Sequence, residues 1–216
     1  MKKNFTEIVF VLDESGSMSS LKSDTIGGFN SLIEKQKSEE GGAVVSAVLF
    51  NTESRVLLDR VPLDKVEELT DRDYCPCGGT ALLDAVGGAV KHIGNIHKYA
   101  RPEDVPEHTL FVITTDGMEN SSRHFSAAKV KKLISRQQEK YGWEFVFLGV
   151  NIDAAETAAS IGISRESAVD CVADEVGCAV QYETMCMAVS NVRKGRRLSA
   201  SKTWRAAADA DHSSRG

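Results

Sequence analysis

Five oxygen-bearing residues at three places in the chain carry its most specific chemistry. The first group is Asp13-Glu14-Ser15-Gly16-Ser17-Met18, with one carboxylate and two hydroxyls at alternate positions. The second is Gly78-Gly79-Thr80 and the third Thr114-Thr115-Asp116-Gly117. Asp13, Ser15, Ser17, Thr80 and Asp116 together offer two carboxylates and three hydroxyls, with no thiol or imidazole among them. Such a set suits a hard, oxygen-seeking cation, Mg²⁺ first, with Mn²⁺ or Ca²⁺ as alternatives, and zinc is not expected. Two carboxylates balance a divalent charge. Three neutral hydroxyls then leave the ion electron-poor, so an open position would favour an anion, and a ligand carboxylate could replace a water there.

Each group also has a plainer reading. Asp, Ser and Gly after a strand can simply cap the next helix, Thr80 can be an N-cap, and Asp-Gly is a common turn. The three become one site only if the fold brings them together, so the elements that carry them decide the matter. Strand-like runs occur at Glu7 to Asp13, Ala43 to Phe50, Ser54 to Leu58, His108 to Thr114, Trp143 to Gly149 and Ala168 to Val172. They are short, apolar and rich in β-branched or aromatic residues, as strands covered on both faces are. Helical spacing joins Ile26, Phe29, Leu32 and Ile33; Leu82, Leu83, Val86, Val90 and Ile93; and Val130, Leu133 and Ile134. Asp153 and Glu156 resemble a capping box with Gly162 closing that helix, and a last helix is expected from Asp174 to about Arg193.

This alternation predicts an α/β fold, a doubly wound and mainly parallel sheet with helices on both faces. Only Asn51, Thr52 and Glu53 separate the second and third strands, too few for a parallel crossover, so the third strand must be antiparallel at an edge. In an open α/β sheet the loops at the carboxyl ends of neighbouring strands converge where the strand order reverses. The first and fourth strands would flank that crevice, with the three oxygen-bearing loops around it. After Gly195 apolar periodicity is lost, and residues 195–216 are expected to be a mobile polar tail on a domain of residues 1–194.

The balance of the chain bounds its partners. Of 216 residues, 42% are hydrophobic and 26% charged, and the formal net charge is -5. There is no overall basic surplus to favour nucleic acid. No segment approaches the roughly 20 apolar residues of a membrane span. The apolar run from Ile8 to Leu12 is too short for a signal peptide. Five cysteines, an odd number, in a chain large enough to fold without staples suggest reduced thiols and a cytoplasmic compartment.

Asp13-x-Ser15-x-Ser17, Thr80 and Asp116 resemble a complete metal-ion-dependent adhesion site (MIDAS) of the von Willebrand factor A (VWA) family, in its usual order. The resemblance covers roughly residues 5 to 193. It implies a sheet ordered 3-2-1-4-5-6 with the third strand antiparallel. It implies ligation by the Ser15, Ser17 and Thr80 hydroxyls, with Asp13 and Asp116 binding directly or through water. It also implies a protein-binding rather than catalytic role, in which the partner supplies an Asp or Glu; in several members the last helix shifts as the site changes state. The compact form resembles cytoplasmic bacterial and phage-borne members, including the tellurite-resistance type.

Other residues carry less. Cys75 and Cys77, beside the Gly-Gly-Thr loop, lack the CxxC or nearby His of a zinc set and read as free loop thiols. No two histidines stand four apart on a helix, Met185 and Met187 read as core fillers, and Arg193 to Ser199 reads as a solvated basic tail rather than a phosphate-binding or phosphorylation patch. Glu14, Met18, Cys75, Cys77, Met118 and Glu119 are the expected rim of the site. Alternatives are a scaffold whose cation is purely structural and a Mg²⁺-dependent phosphatase of the haloacid-dehalogenase type. The latter needs a second Asp two residues after the nucleophile, and Ser15 stands there. Generic phosphate esters should therefore show no metal-dependent hydrolysis; turnover abolished by Asp13→Asn would reverse this assignment.

Overall fold

The computed structural model describes residues 1–215. Its strands are β1 (Lys2–Asp13), β2 (Gly42–Phe50), β3 (Ser54–Pro62), β4 (Pro106–Thr115), β5 (Glu144–Val150) and β6 (Ala168–Cys171). The helices are α1 (Lys22–Lys37), α2 (Leu82–Tyr99), α3 (Ala127–Tyr141), α4 (Ala154–Ser160), α5 (Glu175–Arg193) and α6 (Ala206–Arg215). They form one six-stranded sheet in the order β3-β2-β1-β4-β5-β6. β3 pairs antiparallel with β2, and the other pairings are parallel. The antiparallel edge strand is the one expected from the three-residue hairpin, and the strand order is the one that the resemblance implies.

The run Ile8-Val9-Phe10-Val11-Leu12 is continuously apolar because both faces of β1 are covered. Ile8, Phe10 and Leu12 point into the layer that includes Phe29 of α1 and Met185 and Val189 of α5. Val9 and Val11 point into the opposite layer, with Val86 and Val90 of α2 and Val130 and Ile134 of α3. Within that second layer Phe111 stacks on both Trp143 and Phe145. A carboxylate also lies on β1: Glu7 is fully buried and is matched by Arg60 Nε at 2.9 Å and His97 Nε2 at 3.1 Å. A buried charge persists only when paired in this way.

The C-terminal segment differs from the expected mobile tail. Beyond Gly195 the chain makes two 3₁₀ turns, Leu198–Ala200 and Thr203–Arg205, and then α6. Leu198, Trp204 and Ala208 are buried in the same core layer as α5. The indole Nε1 of Trp204 donates to the Leu198 carbonyl at 3.3 Å, and Leu198 N–H donates to Glu144 Oε2 at 2.8 Å. Arg205 donates to the Glu166 carbonyl, and Arg215 pairs with Asp174 at the start of α5. Three apolar residues at irregular spacing give no periodic signal, yet one indole alone can bury on the order of 200 Å².

The expected solvated basic segment also does other work at its first residue. Arg193 donates to the Gln36 and Gly41 carbonyls and so ties the end of α5 to the end of α1. Met185 fills the core as expected, whereas Met187 faces outward. Trp204→Ala should destabilise the domain by about 3 kcal/mol or more, because a large buried side chain is removed at the seam between two helices. Urea unfolding measures this; an unchanged midpoint would mean that the segment is not part of the folding unit.

Candidate metal centre

Register places the first and third loops side by side. In the parallel pair β1–β4, Leu12 lies opposite Thr114, so Asp13 and Thr115 leave the sheet together at the carboxyl ends of the two central strands. The Thr115 hydroxyl donates to Asp13 Oδ2 at 2.7 Å, and Asp116 N–H reaches the same oxygen at 3.4 Å. Asp13 Oδ1 accepts from Ser15 N–H at 2.7 Å. The two serine hydroxyls lie 3.0 Å apart, and both donate to Asp116 Oδ1, Ser17 at 2.6 Å and Ser15 at 3.3 Å. Four of the five expected ligands thus form one hydrogen-bonded cluster.

Thr80 arrives by a separate route. Gly16 N–H donates to the Gly78 carbonyl and Cys77 N–H to the Glu14 carbonyl, which laces the second loop to the first. Gly78 has φ +72° and a Cβ there would lie 2.6 Å from the Thr52 hydroxyl, while a Cβ on Gly79 would meet the Ser121 hydroxyl at 2.4 Å. The left-handed turn at Gly78 favours glycine, and the bare Cα of Gly79 lets the Asn120 and Ser121 side chains close in. Thr80 N–H then donates to Asn120 Oδ1, and its carbonyl accepts from Asn120 and Ser121. Its hydroxyl lies against Gly117, where a Cβ would approach it to 3.3 Å. The five residues are therefore brought to one place.

Helix capping does not account for these side chains. The 3₁₀ turn Gly16–Leu21 follows Ser15 with no side-chain cap bond, and α2 begins after Ala81, again without one. The first amides of α2 are satisfied from elsewhere: Leu83 N–H by Glu119 Oε2 at 2.9 Å and Asp84 N–H by Ser122 Oγ at 3.0 Å. Asp84 returns the favour by accepting from the amides of Arg123, His124 and Phe125. The start of α2 and the third loop are consequently one rigid unit, which fixes Thr80 relative to Asp116.

Electrostatics supplies the test of fit. Asp13, Ser15, Thr80 and Asp116 are all buried, and Ser17 alone is exposed. None of the groups that donate to the two carboxylates is cationic. Burial raises the Asp13 carboxyl above its ordinary pKa and the Asp116 charge adds to this, against hydrogen bonds from Ser15 and Thr115. Adjacent Glu14, also buried, has what they lack: Arg55 Nη2 at 2.8 Å from its Oε1. Two buried carboxylates facing three hydroxyls without a cation of their own fit a bound divalent ion.

The rim differs from expectation. Glu14 is held by Arg55 and by Cys75 N–H, Met18 is buried, and Glu119 is turned inward as the cap of α2. Met118, 77% exposed, and the exposed thiols Cys75 and Cys77 stand at the surface. Sequence reading also left Thr115 without a role, although it orients Asp13. Its only signal was its place between the strand and Asp116.

No protein-family model and no curated protein matches this sequence. Solved structures do. The vWF domain of the type V pili tip protein Mfa5 from Porphyromonas gingivalis is similar over 86% of this chain and 95% of its own, at TM-score 0.58 and 13% identity. Manganese-loaded TRAP protein from Plasmodium vivax is similar over 84% of this chain and 73% of its own, at TM-score 0.56 and 16% identity. Proximal thread matrix protein 1 from the mussel byssus, in a structure with a zinc-occupied MIDAS motif, is similar at TM-score 0.55 and 18% identity. That likeness covers 88% of this chain but only 45% of the mussel protein, so the chain spans less than half of that relative. At these identities the likeness is one of fold, and the fold is of the VWA type.

Metal that binds only the folded state should raise the melting temperature. At about a hundredfold excess over Kd the gain is about 3 kcal/mol, or roughly 5–10 °C for a domain of this size. Thr80→Ala, which removes a neutral ligand, should shrink the gain, and Asp116→Ala should abolish it. Stripped protein that melts identically in Mg²⁺, Mn²⁺ and chelator would show that the cluster holds no ion.

Proposed function

We propose that the chain is a divalent-cation-dependent protein-binding module. In this reading Asp13, Ser15, Ser17, Thr80 and Asp116 hold the ion, and a partner's Asp or Glu completes its coordination. The observation that carries the proposal is the pair of buried carboxylates that face three hydroxyls with no cationic side chain beside them. A bound cation would supply neutralisation and an electron-poor position for an anionic oxygen. The protein's own part is orientation. Thr115 and Ser15 N–H fix the two oxygens of Asp13, and both serine hydroxyls turn to Asp116.

Mg²⁺ is the proposed occupant, since hard oxygen donors of low charge suit it. Mn²⁺ remains an alternative by the same chemistry. The expectation against zinc narrows to a site of the Cys and His type, because the mussel protein carries zinc in a MIDAS motif. A catalytic role is not proposed: both oxygens of Asp13 are engaged, and Ser15 supplies no acid or base in reach of neutral pH. Free thiols at all five cysteines agree with a reducing compartment, and we propose the cytosol. Among the described residues no helix is long and apolar enough to cross a membrane. The same reading extends to kinship with cytoplasmic bacterial and phage-borne members of the tellurite-resistance type.

Coordination of one carboxylate is a single contact, so specificity must come from the exposed rim of Met118, Cys75 and Cys77. A pull-down from the native host in Mg²⁺ and in chelator, repeated with Asp116→Ala, checks the proposal. The partner should be recovered only with Mg²⁺ and the intact site. Equal recovery in every condition would make the cation structural and place the partner elsewhere.

A further inference from the structure

The surface between α2 and α3 carries a charge pattern opposite to that of the whole chain. On α3, Lys129, Lys132, Arg136 and Lys140 recur at steps of three, four and four, one stripe along the helix. On α2, Lys91 and Lys98 are seven apart and face the same groove. The groove has two connected parts, of about 360 Å³ and 530 Å³, which share Gly94, Lys98, Gln137 and Tyr141. Its upper floor is apolar, with Val90, Leu133 and Phe125. Among the described residues Glu107 is the only carboxylate lining either part, and its Oε2 already accepts Asn4 N–H.

Among the described residues none of the six cations pairs with a carboxylate. Elsewhere on the surface pairing is common, as at Lys22, Lys37, Arg101, Lys194 and Arg215. In a chain of net charge -5, six like charges collected round one groove are a self-repulsion that an anionic occupant would relieve. The field is felt locally: Lys140, with Arg136 behind it, lowers the pKa of the Tyr141 hydroxyl.

We propose that this groove docks an acidic, amphipathic segment of a partner protein, at a surface separate from the metal centre. Apolar side chains of the segment fill the floor, and its carboxylates meet the two cationic rims. From Lys129 to Lys140 the rim is roughly 16 Å long at 1.5 Å per residue, which suits about three turns of helix. A nucleic-acid duplex would bring phosphates to the rims but no apolar face to fill the floor of Val90, Leu133 and Phe125. Single strands need free ring faces on which bases stack. Here Lys129 lies over Phe125 and Lys140 over Tyr141, at 4.5 and 5.2 Å, and Trp143 is stacked on Phe111. A membrane surface calls for apolar side chains that protrude, whereas this floor is recessed between two helices.

Fluorescence anisotropy of the intact chain tests the proposal with a labelled peptide of Glu and Leu about 12 residues long, its leucines on one helical face. Binding should weaken with salt and persist in chelator, which separates it from any event at the metal centre. The double variant Lys132→Glu/Arg136→Glu, both exposed positions, should bind about tenfold more weakly, or roughly 1.4 kcal/mol, with an unchanged melting curve. A peptide of the same composition with its leucines scattered should bind more weakly to the unaltered protein, because the floor stays empty. No binding, equal binding of the scattered peptide, equal binding by the variant, or tighter binding of oligothymidine or phosphatidylserine vesicles would overturn the assignment.

Discussion

Two buried carboxylates with no positive side chain of their own are the constraint around which this end of the molecule is organised. Left in a low-dielectric setting, Asp13 and Asp116 raise each other's energy, and burial penalises the charge further. The chain could have relieved this with an arginine, as it does one residue along, where Arg55 reaches Glu14. It instead surrounds the pair with hydroxyls and holds them with backbone. The β1–β4 register, the Gly78-Gly79 turn and the Glu119 cap on α2 each set the position of one oxygen donor. Preorganisation of this kind would spare an incoming ion the work of gathering its ligands.

The sheet was legible because its signals are local. Each buried strand reads as a short apolar run between polar turns, and the three-residue gap after Phe50 forbids a parallel crossover. The oxygen cluster was legible for another reason: its members are chemically unusual at strand ends, and their order matches a known arrangement. What stayed hidden depends on direction rather than type. Glu14 and Glu119 look alike in sequence as acids beside the site. One turns to Arg55 and Cys75 N–H, the other to the amides of α2, and neither faces out. Thr115 could not be told from Thr114 until β4 fixed which of them meets Asp13.

α2 couples the two chemistries of the molecule. Its first turn is stitched to the loop that carries Asp116, and its flank supplies Lys91 and Lys98 to the groove. The oxygen cluster concentrates negative charge at the carboxyl ends of the strands, while the groove concentrates positive charge along the helices. The formal net charge of -5 thus conceals a separation of sign, which composition cannot express.

α5 is enclosed on both sides. Sheet residues cover one flank, Trp204 and α6 cover another, and Arg193 and Ser190 fasten it to the end of α1. A helix in that position behaves like a drawer with its bolt thrown: it cannot slide along the sheet unless the C-terminal segment slides with it or swings away. Contacts that hold this helix in place therefore lie well away from the strand ends, in a few residues around an indole. Change those contacts and the stiffness of the whole layer changes, with the oxygen cluster itself untouched.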